Sequence, residues 1–361
     1  MSSYIVRVLL PYIVAEVGGR EVEISRALYI GFLALAFVSP IAGLICDIYG
    51  TRRIMTLSSI AIALLIPLYL HLRDPNTVII LRFVHAIFGT FALAAGLTIA
   101  SEVTSEGGLG IGFLRFSQGL GIALGPIIAS ILFSINKYIP FYIASLLSLS
   151  MLSVLMLPKR NYSLYKYNYR RRLSEILRYV ISVIRHRVIL ALIPIAYAEI
   201  LCFSILVSYY TPYLVLELNF SEFEYGLFIF LESIAFSIGG YISEIVYRRY
   251  RFRSSILASI LLLISYASLY LQTSHTMILA IVAIIGFVSA FIINPVYIEF
   301  SNIVKEDVRG FSINMLDSLI NTSFILLLVL DPIVMILGSR ASLLISSAII
   351  SICTTISFSI A

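Results

Sequence analysis

PYIVAEV at residues 11–17 returns 201 positions later as PYLVLEL at residues 212–218. A proline–tyrosine pair heading an apolar run with one glutamate is thus written twice, and duplication becomes the first hypothesis about this chain. Sliding the sequence against itself at an offset of 197 extends the match. Gly43, Asp47 and Arg52 of GLICDIYGTRR face Gly240, Glu244 and Arg249 of GYISEIVYRRY, Gly89 meets Gly286, and Glu102 meets Glu299. Two similar halves are implied.

Composition says what medium the halves occupy. Apolar residues make up 60% of the chain and charged residues only 12%, and mean hydropathy is +1.02, far from a soluble domain. The apolar runs mostly approach or exceed the ~20 residues a helix needs to cross hydrocarbon. They predict an all-α polytopic membrane protein with twelve transmembrane helices in two pseudo-symmetric six-helix halves. The expected spans are 3–17, 24–46, 54–72, 77–100, 111–133 and 138–157, then 188–216, 225–247, 254–271, 276–300, 309–330 and 341–360. The halves are residues 1–157 and 188–361, joined by a basic linker at 158–187. Span 3–17 gives only about 22 Å of helix against roughly 30 Å of hydrocarbon. It does not read as a signal peptide, because Arg7 interrupts it, no small-residue cleavage site follows, and its copy lies in mid-chain. It is expected to be a shortened first helix.

Orientation follows from the basic residues. Arg52, Arg53, the Lys/Arg of 158–187, Arg248, Arg249, Arg251, Arg253, Lys305 and Arg309 fall on one side, against Arg20, Arg26, Arg73, Lys137 and Arg340 on the other. Both termini are therefore expected in the cytoplasm, in a multi-pass protein of the cell membrane. The net charge of +6 reads as this bias and as attraction to anionic headgroups. A nucleic-acid partner is disfavoured because the cations flank membrane segments instead of forming a domain. Cys46, Cys202 and Cys353 occupy three different spans, which suggests neither a disulfide framework nor a metal site.

At these residues the chain resembles the major facilitator superfamily of transporters. Gly43, Asp47, Gly50, Arg52 and Arg53 resemble its loop motif between helices 2 and 3, with Ile45 at a leucine position. Arg82 resembles its membrane-embedded arginine in helix 4, although His85 and Ala86 replace the glutamine and glycine usual there. Gly121, Gly125 and Pro126 resemble the helix 5 motif of the drug/proton antiporter branches, with Ala129 and Ser130 where two glycines are typical. Pro11 resembles the proline near the outer end of helix 1, so an inner turn of that helix is missing here. Either the sequence begins downstream of the natural start or the member is degenerate.

The resemblance implies that Asp47, an acid at a helix C-terminus where the dipole disfavours it, meets the positive start of helix 11 near Val308–Phe311. By the repeat, Glu244 would face the start of helix 5 near Gly110 and Ile111. Each such contact would bias one state by roughly 0.3–2 kcal/mol; the plainer reading of both is a solvated loop charge.

Polar side chains at the bilayer centre cost a few kcal/mol and are expected to face protein or a wet cavity. Glu199, Arg82 with His85, and Asn294 are the leading candidates for substrate or proton contacts, because helices 1, 4, 7 and 10 line the pathway in the resembled fold. Asn314, Asp317 and Asn321 fall on one helical stripe and extend that lining. Each could equally be structural, Glu199 in an ion pair and Arg82 as an anchor. Arg115 and Glu232 are expected near the membrane interface instead of in the pathway. Gly112, Gly119, Gly121 and Gly125 permit close approach in helix 5, and Pro126 removes a helical hydrogen bond; ordinary small-residue packing explains them as well. Ser174 and the apolar face Ile176, Leu177, Val180, Ile181 and Ile184 predict an amphipathic linker helix on the inner leaflet.

These features point to a secondary transporter working by alternating access on a small-molecule substrate, coupled to protons or another ion, in the lipid bilayer. Proton-coupled efflux is the first expectation, uptake of a sugar or carboxylate the second, and a non-transporting member the third. A monomer without cofactor is expected. An enzyme is disfavoured, because neither H-E-x-x-H nor G-x-S-x-G occurs and no paired acids lie within a helical turn of a histidine.

Overall fold

A backbone surrounded by hydrocarbon must satisfy its own N–H and C=O groups, and the helix does so within one segment. Among the described residues every regular element is helical. The computed structural model describes the backbone of residues 1–103, 107–156, 181–304 and 309–360. Side chains are described there except at 40, 44, 47, 97, 100–103, 107–118, 154–156 and 309–314. The side chains of Asp47, Glu102, Arg115, Gln118 and Asn314, residues 174–180 of the linker and the contacts expected at 308–311 and 110–111 thus lie outside the described residues.

The first helices are α1 (Ser2–Glu16), α2 (Glu21–Tyr49), α3 (Thr51–Leu68), α4 (Pro75–Val103), α5 (Gly107–Ile135) and α6 (Ile139–Ser150). After the linker come α7 (Arg187–Ile205), α8 (Glu222–Tyr250), α9 (Phe252–Leu271), α10 (His275–Ile303), α11 (Arg309–Asn321), α12 (Leu326–Leu337) and α13 (Ser342–Ile360). Nine helical stretches among the described residues are long and apolar enough to cross a bilayer, and Gly119–Ile135 and Ile139–Ser153 are apolar but shorter. The helices extend a few residues beyond the apolar runs, as α2 does at both ends of 24–46, because caps are polar. Ser221 caps α8 by accepting from the Glu224 amide while Glu224 accepts from the Ser221 amide. Gly50 links α2 to α3 at φ +91° and Gly338 follows α12 at φ +88°, conformations that glycine adopts without a Cβ penalty. That gives the motif glycine at 50 a backbone reason.

Two segments depart from expectation. The run at 188–216 does not stay α-helical, because α7 ends at Ile205 and continues as π-helical turns at Leu206–Tyr210 and Tyr213–Glu217. Pro212 lies between them, lacking an N–H and crowding the preceding turn, which a widened helix accommodates. The run at 309–330 is carried by α11, a 3-10 turn at Thr322–Ile325 and α12, which reaches Leu337 past Pro332.

Helix α2 packs on α4, α3 on α4 and α6, and α1 on α5, α6 and α2. Beyond the linker, α8 packs on α10, α9 on α10 and α13, and α7 on α13 and α10. Between these sets the larger contact is α5 against α8, and α2 touches α11 and the turns that follow α7 and α11. At the α8–α10 crossing a Cβ on Gly239 would strike the Phe287 carbonyl and one on Gly286 the Glu232 carbonyl, so the two backbones are in direct contact. The bundle has one end marked by Glu16, Glu21 and Lys137, here the Glu21 end, and an opposite end marked by Arg52 and Arg251. At the Glu21 end Lys137 donates to Glu16 at 2.6 Å, and the carboxylate raises the ammonium above the ordinary lysine value.

Candidate functional site

One face of α2 closes the Glu21 end. Positions 26, 29, 32 and 33 recur at three- and four-residue spacing and so share a stripe. Tyr29, Leu33 and Ala36 bury against Leu201, Ile205 and Tyr209 near α7 and Phe324, Leu327 and Val334 near α12, in a cluster separate from the main core. Phe32 lies with its ring centre 4.7 Å from that of Phe324 and 6.4 Å from that of Phe203. Tyr29 and Tyr209 stand 5.7 Å apart, and the Tyr209 hydroxyl donates to the Leu327 carbonyl at 2.8 Å. Further out, Arg26 donates to Asp331 Oδ2 through Nη2 at 3.1 Å and Nε at 3.3 Å, and Ser339 donates to Glu21 at 2.6 Å. Arg26 is 42% exposed and Asp331 only 9%, and Asp331 Oδ1 is buried with no hydrogen-bond partner.

The second seam joins α5 to α8. A Cβ on Gly226 would strike Ser130 and come 3.0 Å from the Pro126 carbonyl. Only glycine fits there. Tyr12 of the first repeat segment donates to the Phe220 carbonyl at 3.0 Å, and its ring stands 6.3 Å from that of Tyr225. The helix 5 motif has a different partner: a Cβ on Gly121 would come 2.9 Å from the Met1 nitrogen and one on Gly125 3.2 Å from Tyr4 Cβ. Gly121 and Gly125 therefore let α1 lie close against α5, while Pro126 faces α8.

Between the seams lie the charged groups. Arg82 is 8% exposed and rests on the backbone of α2, where a Cβ on Gly31 would come 2.9 Å from its Nη2. Its Nε is buried without a partner. His85 is fully buried and bridges three helices, 3.2 Å from Ser3 Oγ and 3.3 Å from the Tyr69 hydroxyl. Across the interface Glu199 is 5% exposed and within hydrogen-bonding reach of Ser289 on α10. Glu232 is 7% exposed and accepts from Ser233 at 3.1 Å, so protein surrounds this carboxylate.

Two further residues matter. Arg7, read in the sequence only as a break in an apolar run, places its guanidinium carbon 4.6 Å from the Phe32 ring centre and 6.0 Å from that of Phe203. The charges of Arg82 and Glu232 both act on it. A cation inside a hydrophobic helix was the available signal for Arg7. Asp331 beside Pro332 in an apolar run was the equivalent signal for the Arg26 pair.

The other predicted residues are dispersed. Asn294 donates to the Gly240 carbonyl at 3.1 Å and Ser243 Oγ at 2.9 Å, which ties α10 to α8. Gly240 contributes by leaving that space open. Tyr297 donates to Asp317, joining α10 to α11, and Asn321 is half-buried at the end of α11. Glu244 pairs with Arg248 one turn along its own exposed helix face at 2.7 Å. Gly43 and Arg53 are exposed, and the Arg52 carbonyl accepts from Thr56.

This arrangement of helices is similar to that of solved transporters. The nucleoside transporter NupG is 11% identical with a TM-score of 0.73, covering 99% of this chain and 96% of its own. A bacterial homologue of the human lysosomal transporter Spinster, in an inward-facing and occupied conformation, is 13% identical with a TM-score of 0.72 over 99% and 93%. A D-xylose–proton symporter is 13% identical with a TM-score of 0.72 over 99% and 94%. No curated protein matches the chain by sequence. The family model of the Major Facilitator Superfamily matches residues 1–326, and the chain belongs to that superfamily of membrane transporters.

Proposed function

We propose that this protein is a secondary active transporter that moves a small organic solute across the cell membrane by alternating access, coupled to protons. The observation that carries this reading is the pair of seams closed at the Glu21 end, with Arg82, Glu199 and Glu232 buried, and Arg7 half-buried, around the interface between them. Rocking of one lobe on the other parts such seams and exposes the groups between them to the opposite side.

The lobes are residues 1–157 and 188–361, with twelve crossings in which α11 and α12 form one. The neighbour pattern supports the duplication. Pairs α2–α4, α3–α4, α3–α6 and α1–α6 have counterparts in α8–α10, α9–α10, α9–α13 and α7–α13. Both termini face the cytoplasm, so the Glu21 end is extracytoplasmic, as the basic-residue bias requires.

Glu199 is the coupling residue in this reading. A carboxyl deep in an apolar helix is favoured uncharged and releases its proton when its surroundings become wet. The antiporter-like helix 5 favours efflux in exchange for protons. Uptake of a carboxylate or sugar is the second reading, favoured by the cations Arg7 and Arg82.

Vesicles reconstituted with the protein test this directly. Solutes from a chemically varied panel are added while a pH-sensitive dye reports an imposed proton gradient. At least one is expected to dissipate the gradient, and Glu199→Gln is expected to lower that rate by about tenfold or more. The sign of proton movement separates efflux from uptake. Solute flux indifferent to the gradient would end the coupled reading, and an unaffected Glu199→Gln variant would remove Glu199 from it.

A further inference from the structure

Arg7 is half-buried, and the tip of its side chain is held in an unusual way for a charge among packed helices. Its guanidinium lies against Phe32 and Phe203, and its Nη2 is buried with no hydrogen-bond partner. Arg82 presents a second cation, with its buried Nε likewise unpartnered. Their charges act unfavourably on each other. A buried donor without an acceptor loses its hydration with nothing in return, and two cations in a poorly polarisable medium repel. Packing accounts for part of what holds them, through the rings against Arg7 and the Gly31 backbone against Arg82, and leaves the two donors unfilled.

The acid acting on Arg7 is Glu232, which belongs to α8 and therefore to the other lobe. It is already committed to Ser233 at 3.1 Å, and no ion pair between Glu232 and Arg7 is formed among the described residues. The Arg7 fork thus has a counter-charge it does not pair with and one unfilled donor. A planar guanidinium presents parallel N–H groups that match the two oxygens of a carboxylate or phosphate, and the flanking phenylalanine rings offer an apolar wall to whatever carries that group. Phe32 also belongs to the α2 face that seals the Glu21 end. A ligand on Arg7 therefore lies directly beneath the seal and between the lobes.

We infer that Arg7 and Arg82 form an oxyanion-recognition site, that the solute is a small organic anion with an apolar body, and that Glu232, an acid of the opposite lobe, opposes that anion by its charge. The inference rests on the transporter reading for its purpose but concerns binding, which is measurable without transport. It also has a consequence that a structural role for Glu232 does not share. Removing the competing carboxylate must strengthen anion binding.

The chain contains no tryptophan, so Phe203→Trp supplies a single tryptophan beside Arg7, excited at the red edge where tyrosine does not absorb, with Phe32→Trp as a second reporter should the first fail to fold. The protein is placed in nanodiscs of phosphatidylcholine in alkaline buffer and titrated with benzoate, phenyl phosphate, benzamide and benzylamine. Benzoate and phenyl phosphate are expected to change the emission saturably, and benzamide and benzylamine to leave it unchanged. Arg7→Gln is expected to weaken benzoate binding by about tenfold or more, and Glu232→Gln to tighten it several-fold. An equal response to benzamide, an unchanged Arg7→Gln titration, or weaker binding in Glu232→Gln would overturn the proposal. So would emission that responds to phosphatidylglycerol discs alone and no longer to benzoate, because the anion would then be a lipid headgroup. Neutral solutes carried by vesicles, with no anion bound, would sink this inference and leave the transporter reading standing. Anion binding as described with no solute carried would do the reverse.

Discussion

Gly286→Leu is expected to prevent accumulation of the folded protein, and Gly286→Ala to lower its stability by about 1–3 kcal/mol. A Cβ at this position meets the backbone carbonyl of Glu232, not a side chain that could rotate away. Gly239 repeats the situation one helix across, against the Phe287 carbonyl. The α8–α10 crossing is thus set by backbone contact at both points, and any side chain there must push the helices apart along their length. Membrane helices gain little from moving apolar groups out of water, so lost close contact is not regained elsewhere. Gly89 is the control, being the copy of Gly286 under the sequence repeat. Its nearest neighbour for an added Cβ is Ser3 Oγ at 3.9 Å, so Gly89→Ala is expected to leave stability nearly unchanged. Thermal unfolding followed with a thiol-reactive dye reads both, because Cys46 and Cys202 are buried thiols that unfolding exposes. Equal melting of the two alanine variants would show that the crossing is not governed by this contact.

Arg26→Ala is expected to open the Glu21 end more than Asp331→Asn does. The pair links α2 to α12 across the seam at 3.1 Å. Because Arg26 is 42% exposed while Asp331 is 9% exposed, losing the arginine strands a largely buried carboxylate, and losing the acid returns an arginine to water. Asp331 Oδ1 is buried and unpartnered, and the neutral hydroxyls of Tyr29 and Tyr209 near the carboxylate replace a cation poorly. With allowance for the exposure of Arg26, the cation's removal costs the closed arrangement about 1–2 kcal/mol, roughly a tenfold change in population. The asparagine variant keeps shape and leaves no charge to strand. Reaction of Phe32→Cys with an impermeant maleimide added from the Glu21 side measures the difference. It is expected to be fastest with Arg26→Ala, intermediate with Asp331→Asn and slowest in the parent. Faster reaction with Asp331→Asn than with Arg26→Ala would contradict this assignment of the buried charge.

The sequence was a good guide to elements and a poor guide to faces. Helices overlie the apolar runs because backbone satisfaction in hydrocarbon leaves no alternative. Gly50 and the α1–α5 approach at Gly121 and Gly125 were legible because glycine marks turns and close contacts. The seam on α2 was not legible, because in a membrane helix both the lipid side and the protein side are apolar and the usual contrast between faces is absent. Tyr29, Leu33 and Ala36 look no more internal than Phe37 or Ile41, which are exposed. The same lack of contrast hid the roles of polar residues. Asn294 was a fair candidate for the pathway, and the structure gives it hydrogen bonds to Gly240 and Ser243 between two packed helices. Glu232, expected near the membrane interface, is enclosed by protein, which the apolar pattern of its helix did not foretell. Arg7 was visible as an anomaly, yet its partners are Phe32 and Phe203, from helices no local pattern connects to it. The π-helical turns after Ile205 had a local cause in Pro212, but Pro11 in the matching phrase lies within a regular α-helix, so the repeated words do not carry repeated geometry.

The central claim is that two lobes part at the seam between α2 and the α7 and α12 surfaces. Pulsed electron–electron resonance between spin labels at Arg20→Cys and Leu337→Cys, with Cys353 replaced by alanine, measures this span across the Glu21 end in nanodiscs. The account expects a short distance in the parent and a second, longer population that grows in Arg26→Ala. One narrow distance, unchanged by Arg26→Ala, by pH and by every solute in the panel, would contradict it.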